Sequence, residues 1–219
     1  SQRGERGCAE LLLKRFKDET LYNHDTKEWL KYDNGVWVKD SISNITWRSQ
    51  KFLLEVFPEV ARIAEGQEFR LKQLARDDTD YEQELKRDAN RYKKFAESFD
   101  KTKKAITYKK TSDQILALLA TEEDIGTATT DFDQHPLLIN LQNGYYDLEQ
   151  GQFYDSDPKK RFLCQFRTNY IPEAKPEKWI KFLETIFEGD QERIEHIQKL
   201  VGISLTGKAD FQAVIFCFS

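Results

Sequence analysis

The chain has 219 residues, of which 39% are hydrophobic and 13% aromatic, which is enough for one main core and a small satellite core. No apolar run approaches the ~18 residues that a membrane-spanning helix needs, and the first residues are polar rather than signal-like. Three cysteines, Cys8, Cys164 and Cys217, lie far apart without metal-ligand spacing, which favours reduced thiols. These features exclude a membrane protein and a disulfide-rich secreted domain, and they predict a soluble, cytoplasmic protein.

The net charge of −4 conceals an uneven distribution of charge along the chain. Residues 86–110 contain ten Lys or Arg and three acids, a balance of +7, whereas residues 113–157 contain ten acids and no Lys or Arg, a balance of −10. Such polarity is typical of a nucleic-acid contact beside an acidic face, and equally of two complementary protein surfaces. The sequence alone does not choose between these alternatives.

The amino-terminal part predicts a short sheet between helices. Residues 9–16 have helical spacing, and three branched or aromatic runs, at residues 21–22, 29–32 and 36–38, predict a three-stranded meander in which Trp29 and Trp37 pack. Helical spacing returns over residues 49–76, where Pro58 and Gly66 predict a break or a kink, and two helices rather than one. A further helix is predicted over residues 79–99, because apolar side chains fall on one stripe and the opposite face is charged.

The middle of the chain predicts a short helix and a second meander. Thr111 and Gln114 resemble a capping box that opens a helix over residues 115–120. Residues 137–154 then predict three strands, with the pair Asn143-Gly144 as the first turn. We also expect Cys164 and Cys217 to be packed in apolar surroundings rather than reactive.

The carboxy-terminal part predicts a helical hairpin followed by a strand. Pro176 suits the start of one helix and Gly189 its end, while Asp190 suits the cap of a second helix that stops at Gly202. Residues 211–218 are a continuous apolar run, which predicts a strand buried on both faces of a sheet. The chain contains no methionine, so we expect it to be a piece of a longer polypeptide.

Residues 202–209 come close to a nucleotide-binding loop without matching it. The segment Gly-Ile-Ser-Leu-Thr-Gly-Lys-Ala places Ala209 where the magnesium-binding hydroxyl of a phosphate-binding loop is required. The segment also follows a predicted helix and precedes a predicted strand, which is the reverse of the order that such a loop needs. We therefore interpret it as a helix end followed by a turn.

Several motifs occur in one order in the last third of the chain. They are Leu-Gln-Asn-Gly-Tyr-Tyr-Asp-Leu at residues 141–148, Trp179 with Phe182-Leu183, and Gly-Ile-Ser-Leu-Thr-Gly at residues 202–207. This order resembles the poxvirus-type primase-helicase amino-terminal domain family of phage and plasmid primases, in which an LxNGxxDLxTG meander precedes a WxxFL helix, a second helix and GxxLTG. Residues 131–218 carry the resemblance, and the earlier part fits in order and length. Gln150 departs from the pattern in a surface turn.

The predicted elements and this resemblance imply an α+β fold. It would consist of two small antiparallel β-meanders among helices, then a helical hairpin and the first strand of a truncated AAA+ helicase core. The corresponding parts are a mixed accessory domain over residues 1–172, a helical collar over residues 173–207 and the start of the helicase core over residues 208–219. In the family that strand leads into the phosphate-binding loop of a superfamily 3 helicase, and this sequence ends at Ser219, where the first loop glycine is expected.

The resemblance also implies a function. It suggests an accessory, pre-helicase domain in DNA replication that links a priming module to an ATP-dependent hexameric helicase of a phage, plasmid or other mobile element. The parent protein would then be a hydrolase that needs ATP and Mg²⁺, while the chain itself is expected to hold no cofactor and to lack the ATP site. Expected partners are single-stranded or forked DNA and further copies of the chain, and a pure oligomerisation module without nucleic-acid contact is the alternative.

The charge pattern and the helical periodicity indicate which residues are candidates for DNA contact and for oligomerisation. Lysines and arginines interleaved with an aromatic ring can follow a phosphate backbone while the ring stacks on a base, although a lysine-rich helix end is also common as a solvated surface. The candidates for DNA contact are Arg87, Arg91, Lys93, Lys94, Lys101, Lys103, Lys104, Tyr108, Lys109 and Lys110. The candidates for oligomerisation are Trp179, Phe182, Ile186, Ile194 and Ile197.

A third hypothesis is an autonomous two-metal enzyme. Asp131-Phe132-Asp133, with His135 close by, has the two-carboxylate spacing that polymerases and primases use to hold metal ions. No third carboxylate on a neighbouring strand can be identified, so we favour an acidic loop before a strand and expect no metal site and no catalytic residue in this chain.

Overall fold

The structure is a computed structural model that describes residues 2–77 and 81–208. The chain divides into two compact units, one of residues 1–31 and 39–129 and the other of residues 32–38 and 130–219. The predicted strand over residues 211–218 and Cys217 lie outside the described residues. No helix in the described part of the chain is long and apolar enough to cross a membrane.

The first sheet contains the predicted meander and one additional strand. β1 (Thr20–Asn23), β2 (Glu28–Asp33) and β3 (Val36–Asp40) follow one another, and β1 runs antiparallel to β2. β4 (Gly126–Thr127) lies parallel to β1, which gives the strand order β3-β2-β1-β4. The prediction of a purely antiparallel meander therefore missed β4. A two-residue strand has no periodicity, and it is recruited by backbone bonds such as that from Tyr22 N to the Ile125 carbonyl (2.8 Å).

Four helices complete the first unit. They are α1 (Gln2–Phe16), α2 (Ile42–Asp77), α3 (Glu82–Ala105) and α4 (Lys109–Ala120). Their apolar faces meet in one core whose fully buried members include Leu12, Leu53, Ile106, Ile115 and Leu119. Trp29 joins this core, as its position in the alternating strand pattern predicts.

α2 is one continuous helix of 36 residues, about 54 Å long. The prediction of a break at Pro58 and Gly66 is therefore wrong. Leu53 and Phe57 are buried in the core just before the proline, and α3 packs along α2, so burial along the helix outweighs the hydrogen bond that Pro58 removes, a loss of ~3 kcal/mol. Gly66 lacks a side chain but has ordinary helical geometry.

α4 begins at Lys109, earlier than predicted, and the capping box proposed at Thr111 and Gln114 is wrong. Thr111 is the third residue of the helix, and Tyr108 occupies the cap position without a side-chain hydrogen bond. The earlier start has a physical reason. It places Ser112 so that its hydroxyl donates to the Ile106 carbonyl at 2.7 Å, inside the core.

The second unit contains the second predicted meander. β5 (Leu138–Leu141), β6 (Gly144–Asp147) and β7 (Gln152–Tyr154) form an antiparallel sheet in the order β5-β6-β7. Leu141 pairs with Gly144, so the turn residues are Gln142 and Asn143. The strands are confirmed, while the turn is shifted by one residue from the predicted Asn143-Gly144 pair.

The helical hairpin is also present in the second unit. α5 (Glu177–Ile186) is followed by Gly189 with a φ of 79°, and α6 (Gln191–Ser204) is capped by Asp190, whose carboxylate accepts a bond from Arg193 N at 3.2 Å. α6 continues past Gly202, so the predicted stop there is wrong. A helix that already has intrahelical bonds on both sides tolerates one glycine at a loss of roughly 1 kcal/mol relative to alanine.

The tryptophan and cysteine predictions have mixed outcomes. Trp37 is buried as predicted, and its indole N–H donates to the Pro158 carbonyl at 2.9 Å. Cys8 is buried, but Cys164 is exposed, so the predicted burial of Cys164 is wrong. The backbone carbonyl of Cys164 is held by Asn140 Nδ2 at 2.9 Å, and this bond fixes the connector while the side chain points outward.

Candidate nucleic-acid interface

The candidate DNA-contact residues lie on α3 and on the corner that joins α3 to α4. Arg87, Lys94 and Lys101 are seven residues apart, and this spacing places them along one side of α3 at intervals of about 10 Å. That side lies away from Ala89, which is buried. The helix thus presents a row of cations.

Acidic neighbours offset the charge of two arginines in the amino-terminal half of α3. Arg91 forms an ion pair with Asp88 at 3.2 Å and Arg87 approaches Glu84 at 4.0 Å, with both arginine side chains mostly exposed. Exposed pairs of this kind add little stability, but each places a negative charge beside a cation. The positive field on this part of α3 is weaker than the sequence count suggests.

The corner between α3 and α4 retains its charge. Lys101, Lys103, Lys109 and Lys110 are exposed and make no ion pair with any residue that the structure describes, and Lys104 is exposed beside them. The sequence from residue 101 to 112 contains five lysines and no acid. The strongest positive surface of α3 and α4 is therefore this corner rather than the whole of residues 86–110.

The corner is held firmly from beneath. The Ile106 carbonyl accepts hydrogen bonds from Gln50 Nε2 (2.9 Å) and Ser112 Oγ (2.7 Å), and the Ile106 side chain is buried in the core. Tyr108, two residues later, is 69% exposed. A fixed backbone carrying an exposed ring between lysines is suited to a flexible anionic partner, because little freedom is lost on binding.

One aromatic residue of this region was missed by the sequence interpretation. Trp47 on α2 is 58% exposed, and Lys51 Nζ lies 5.3 Å from the centre of its ring. The neighbouring Trp29 and Trp37 sit in strands and are buried, so composition alone does not separate them from Trp47. The available signal was the Trp-x-x-x-Lys spacing on a helix, which places ring and ammonium on one face.

The oligomerisation candidates divide into exposed and buried residues. The rings of Trp179 and Phe182 stack with centroids 5.8 Å apart and remain largely exposed, as does Ile186 on the next turn of α5. Ile194 is buried within its own unit and Ile197 is half-buried. Of the five candidates, the accessible ones are therefore the three on α5, while Val201 and Ile203 add exposed apolar side chains on α6.

Hydrogen bonds within the second unit hold the two carboxylates of the segment Asp131-Phe132-Asp133. The Asp131 carboxylate accepts from the Arg161 guanidinium at 2.9 Å, and the Asp133 carboxylate accepts from Leu163 N at 3.0 Å. Among the residues described, no three His, Cys, Asp or Glu side chains come together in a way that could hold a metal ion. These contacts give both carboxylates a structural role.

The motif residues of the second meander also have structural roles. Asn143 pairs with the backbone of Tyr170 in both directions, donating to its carbonyl (3.0 Å) and accepting from its N–H (2.9 Å). Asp147 accepts from the backbone N–H groups of Glu149 and Gln150 and so shapes the second turn.

The backbone amide of Gly207, the last residue of the GxxLTG motif, is also engaged in a hydrogen bond. Its N–H donates to the Pro136 carbonyl at 2.7 Å, and a Cβ on it would lie 3.1 Å from the Pro136 Cα. A side chain at this position would therefore press against Pro136 and require a small shift of its backbone. Its amide is not available to a phosphate.

These features define a class of protein. An α+β chain with this meander, this hairpin and this ordered series of motifs has the arrangement of a replicative primase-helicase amino-terminal domain. The chain matches the family model described as D5 N terminal like over residues 9–188, and it belongs to that family, the amino-terminal domain family of primase-helicases. The resemblance inferred from the sequence is thereby confirmed. The match takes in the amino-terminal part, which has few motifs. No curated protein matches the chain significantly.

Proposed function

We propose that this chain is the accessory domain ahead of the motor in a phage- or plasmid-type primase-helicase, linking a priming module to an ATP-dependent hexameric helicase and contacting DNA at the α3–α4 corner. Family membership supports the replication setting. The observation that carries the DNA contact is the group of exposed lysines at residues 101–110, with no acid between residues 101 and 112.

The ATP-dependent chemistry would come from the parent protein. In the described part of the chain, residues 202–204 belong to α6 and the Gly207 amide is bonded to Pro136. This arrangement supports the interpretation that residues 202–209 are not a phosphate-binding loop. ATP and Mg²⁺ would bind in the motor, and the accessory domain would hold the strand and align the subunits.

Binding at the corner should be electrostatic and sensitive to salt. Each phosphate neutralised on a single strand contributes about −0.7 to the slope of log K against log salt, and about −0.9 on duplex DNA. Contacts from three to five of the corner lysines would therefore give slopes of roughly −2 to −4.

The test is a charge-reversal variant with a matched control. The corner variant changes Lys101, Lys103, Lys104, Lys109 and Lys110 to Glu, and the control changes five exposed lysines of the second unit in the same way: Lys175, Lys178, Lys181, Lys199 and Lys208. Anisotropy with labelled single-stranded and forked DNA is measured over a salt series. We expect the corner variant to lose both affinity and salt slope, while the control keeps most of both. Equal DNA affinities and salt slopes of the two variants would refute the proposed DNA contact at the corner.

A pure assembly module is the second candidate, and the exposed patch on α5 favours it. Trp179, Phe182 and Ile186 present stacked rings and a branched side chain to solvent, and such patches commonly mark interfaces. Light scattering after size-exclusion chromatography, with Trp179→Glu and Phe182→Glu as variants, tests this role. Oligomers that depend on α5 and ignore DNA, together with no DNA affinity, would favour assembly over strand contact.

A further inference from the structure

Trp47 lies in a position that packing does not explain. It is 58% exposed on α2, although Ile45 and Ser49 beside it are buried. Lys51 sits over its ring at 5.3 Å from the centroid. A cation over an aromatic ring is held by the ring quadrupole, so the ammonium and the ring form one preorganised unit with much of the ring surface open.

This unit is close to the corner that carries Tyr108. Gln50 lies one helical turn after Trp47 and donates to the Ile106 carbonyl at 2.9 Å, and Tyr108 follows Ile106 by two residues. Helix and chain geometry then place the Cα atoms of Trp47 and Tyr108 within about 20 Å of each other. A few nucleotides of extended single strand are long enough to cover that distance.

We infer that Trp47 with Lys51 forms a second base-stacking platform which, with Tyr108 and the corner lysines, makes this surface selective for single-stranded over double-stranded nucleic acid. The inference deepens the proposed DNA contact and rests on it. The platform takes an unpaired base on the indole ring, with its phosphate near the Lys51 ammonium.

The chemistry of the surface favours a nucleic acid over a protein partner. Each exposed ring has at least one lysine as a close neighbour, Lys51 for Trp47 and Lys109 for Tyr108. Bases stack on aromatic rings while lysines neutralise the adjoining phosphates, and this combination is typical of single-strand binding. In duplex DNA the bases are stacked on each other and their faces are not accessible, so the rings favour only the unpaired strand.

The test compares two exposed aromatic residues on the same helix. Trp47→Leu removes the proposed platform, and Phe69→Leu is the control, because Phe69 is also on α2 and is 65% exposed. Affinity is measured by anisotropy for oligothymidines of increasing length and for a duplex of the same length. We expect Trp47→Leu to weaken single-strand binding about 5- to 140-fold, with the duplex affinity and the salt slope unchanged. Phe69→Leu should match the wild type, and Trp47→Phe should recover part of the loss.

The outcomes separate this inference from the proposed function. If Trp47→Leu binds single strands like the wild type while the five-lysine variant loses binding, the platform is refuted and the DNA contact stands. If Trp47→Leu stays folded by circular dichroism and weakens single-strand and duplex binding equally, a stacking role is also refuted. If the wild-type protein binds neither DNA form, the proposed DNA contact fails and the platform fails with it, which would leave Trp47 as a contact for a protein partner.

Discussion

Three glycines give a sharp test of the fold, because the same change to alanine should have opposite effects on stability. Gly144 begins β6 with a φ of +153°, and a Cβ there would lie 2.2 Å from the Tyr154 carbonyl oxygen and 2.5 Å from the Phe153 ring. Gly66 in α2 and Gly202 in α6 have no described atom within 4 Å of a new Cβ. The first glycine is required by close approach, and the other two are not.

The magnitudes follow from these surroundings. At Gly144 the backbone oxygen cannot move away without opening the β6–β7 ladder, so overpacking contributes about 1–3 kcal/mol. The φ lies in a region that residues with a side chain rarely adopt, which adds about 1–2 kcal/mol. We therefore expect Gly144→Ala to lower the free energy of unfolding of the second unit by about 2–5 kcal/mol. At Gly66 and Gly202 alanine removes the conformational penalty of glycine in a helix, so a gain of about 0.5–1 kcal/mol is expected.

The assay is urea denaturation combined with hydrogen exchange of individual backbone amides. Circular dichroism reports α2 and α6, and the amides of β6 and β7 report the second sheet. The stabilisation at Gly66 and Gly202 tests the corrected helix boundaries directly. A loss of stability in either helical variant, or an unchanged second sheet in Gly144→Ala, would show that the described packing or helix continuity is wrong.

Four further predictions concern other parts of the molecule. Burial, together with the nearby Glu5 carboxylate, raises the pKa of the Cys8 thiol to about 12. At pH 8 a maleimide should therefore modify the exposed Cys164 and should modify Cys8 only after urea is added, and the intact mass of the protein measures both reactions. Because the folded pKa of Cys8 lies above its unfolded value, the stability of the first unit should be complete below about pH 8.5 and decline as pH rises toward 12, which denaturation at several pH values measures. Asp190→Ala should destabilise α6 by ~1 kcal/mol through loss of its cap, seen as faster exchange of the amides in its first turn. Gln50→Leu should lower the unfolding free energy by about 1–2 kcal/mol, since the bonds from its amide to the Ile106 carbonyl and to the Ser112 hydroxyl are lost, while the Ser112 bond to Ile106 remains. It should also weaken DNA binding, because the corner is then held less rigidly.

The elements with strong periodicity could be predicted from the sequence, and the errors have local physical causes. Both meanders and the helical hairpin follow from alternating or helical spacing bounded by turn residues. Pro58 and Gly202 misled the boundary predictions, because local breaking tendencies are overridden when the flanking helix has buried contacts or intrahelical bonds. β4 could not be predicted, since two residues held by backbone bonds to β1 have no side-chain signature.

The candidate site was predictable in charge but not in geometry. Counting residues identified the basic segment, yet only the structure separates Arg87 and Arg91, which have acidic neighbours, from Lys101, Lys103, Lys109 and Lys110, which form no ion pair with a described residue. The Trp47 platform was not predicted because exposure of a tryptophan depends on the direction of α2 relative to the core. Charge is a property of composition, whereas pairing and exposure require the fold.

The residues that identify the family and the residues proposed to bind DNA are physically independent. Asn143, Gly144, Asp147 and Gly207 satisfy backbone groups or permit close approach, and such tasks accept very few residue types. A positive surface needs only several lysines or arginines in an open region. The first kind of residue therefore produces recognisable motifs and the second does not, even where the second performs the function. Family membership consequently fixes the scaffold without locating the DNA contact, and a failure of the lysine variant would remove the corner while leaving the family assignment intact.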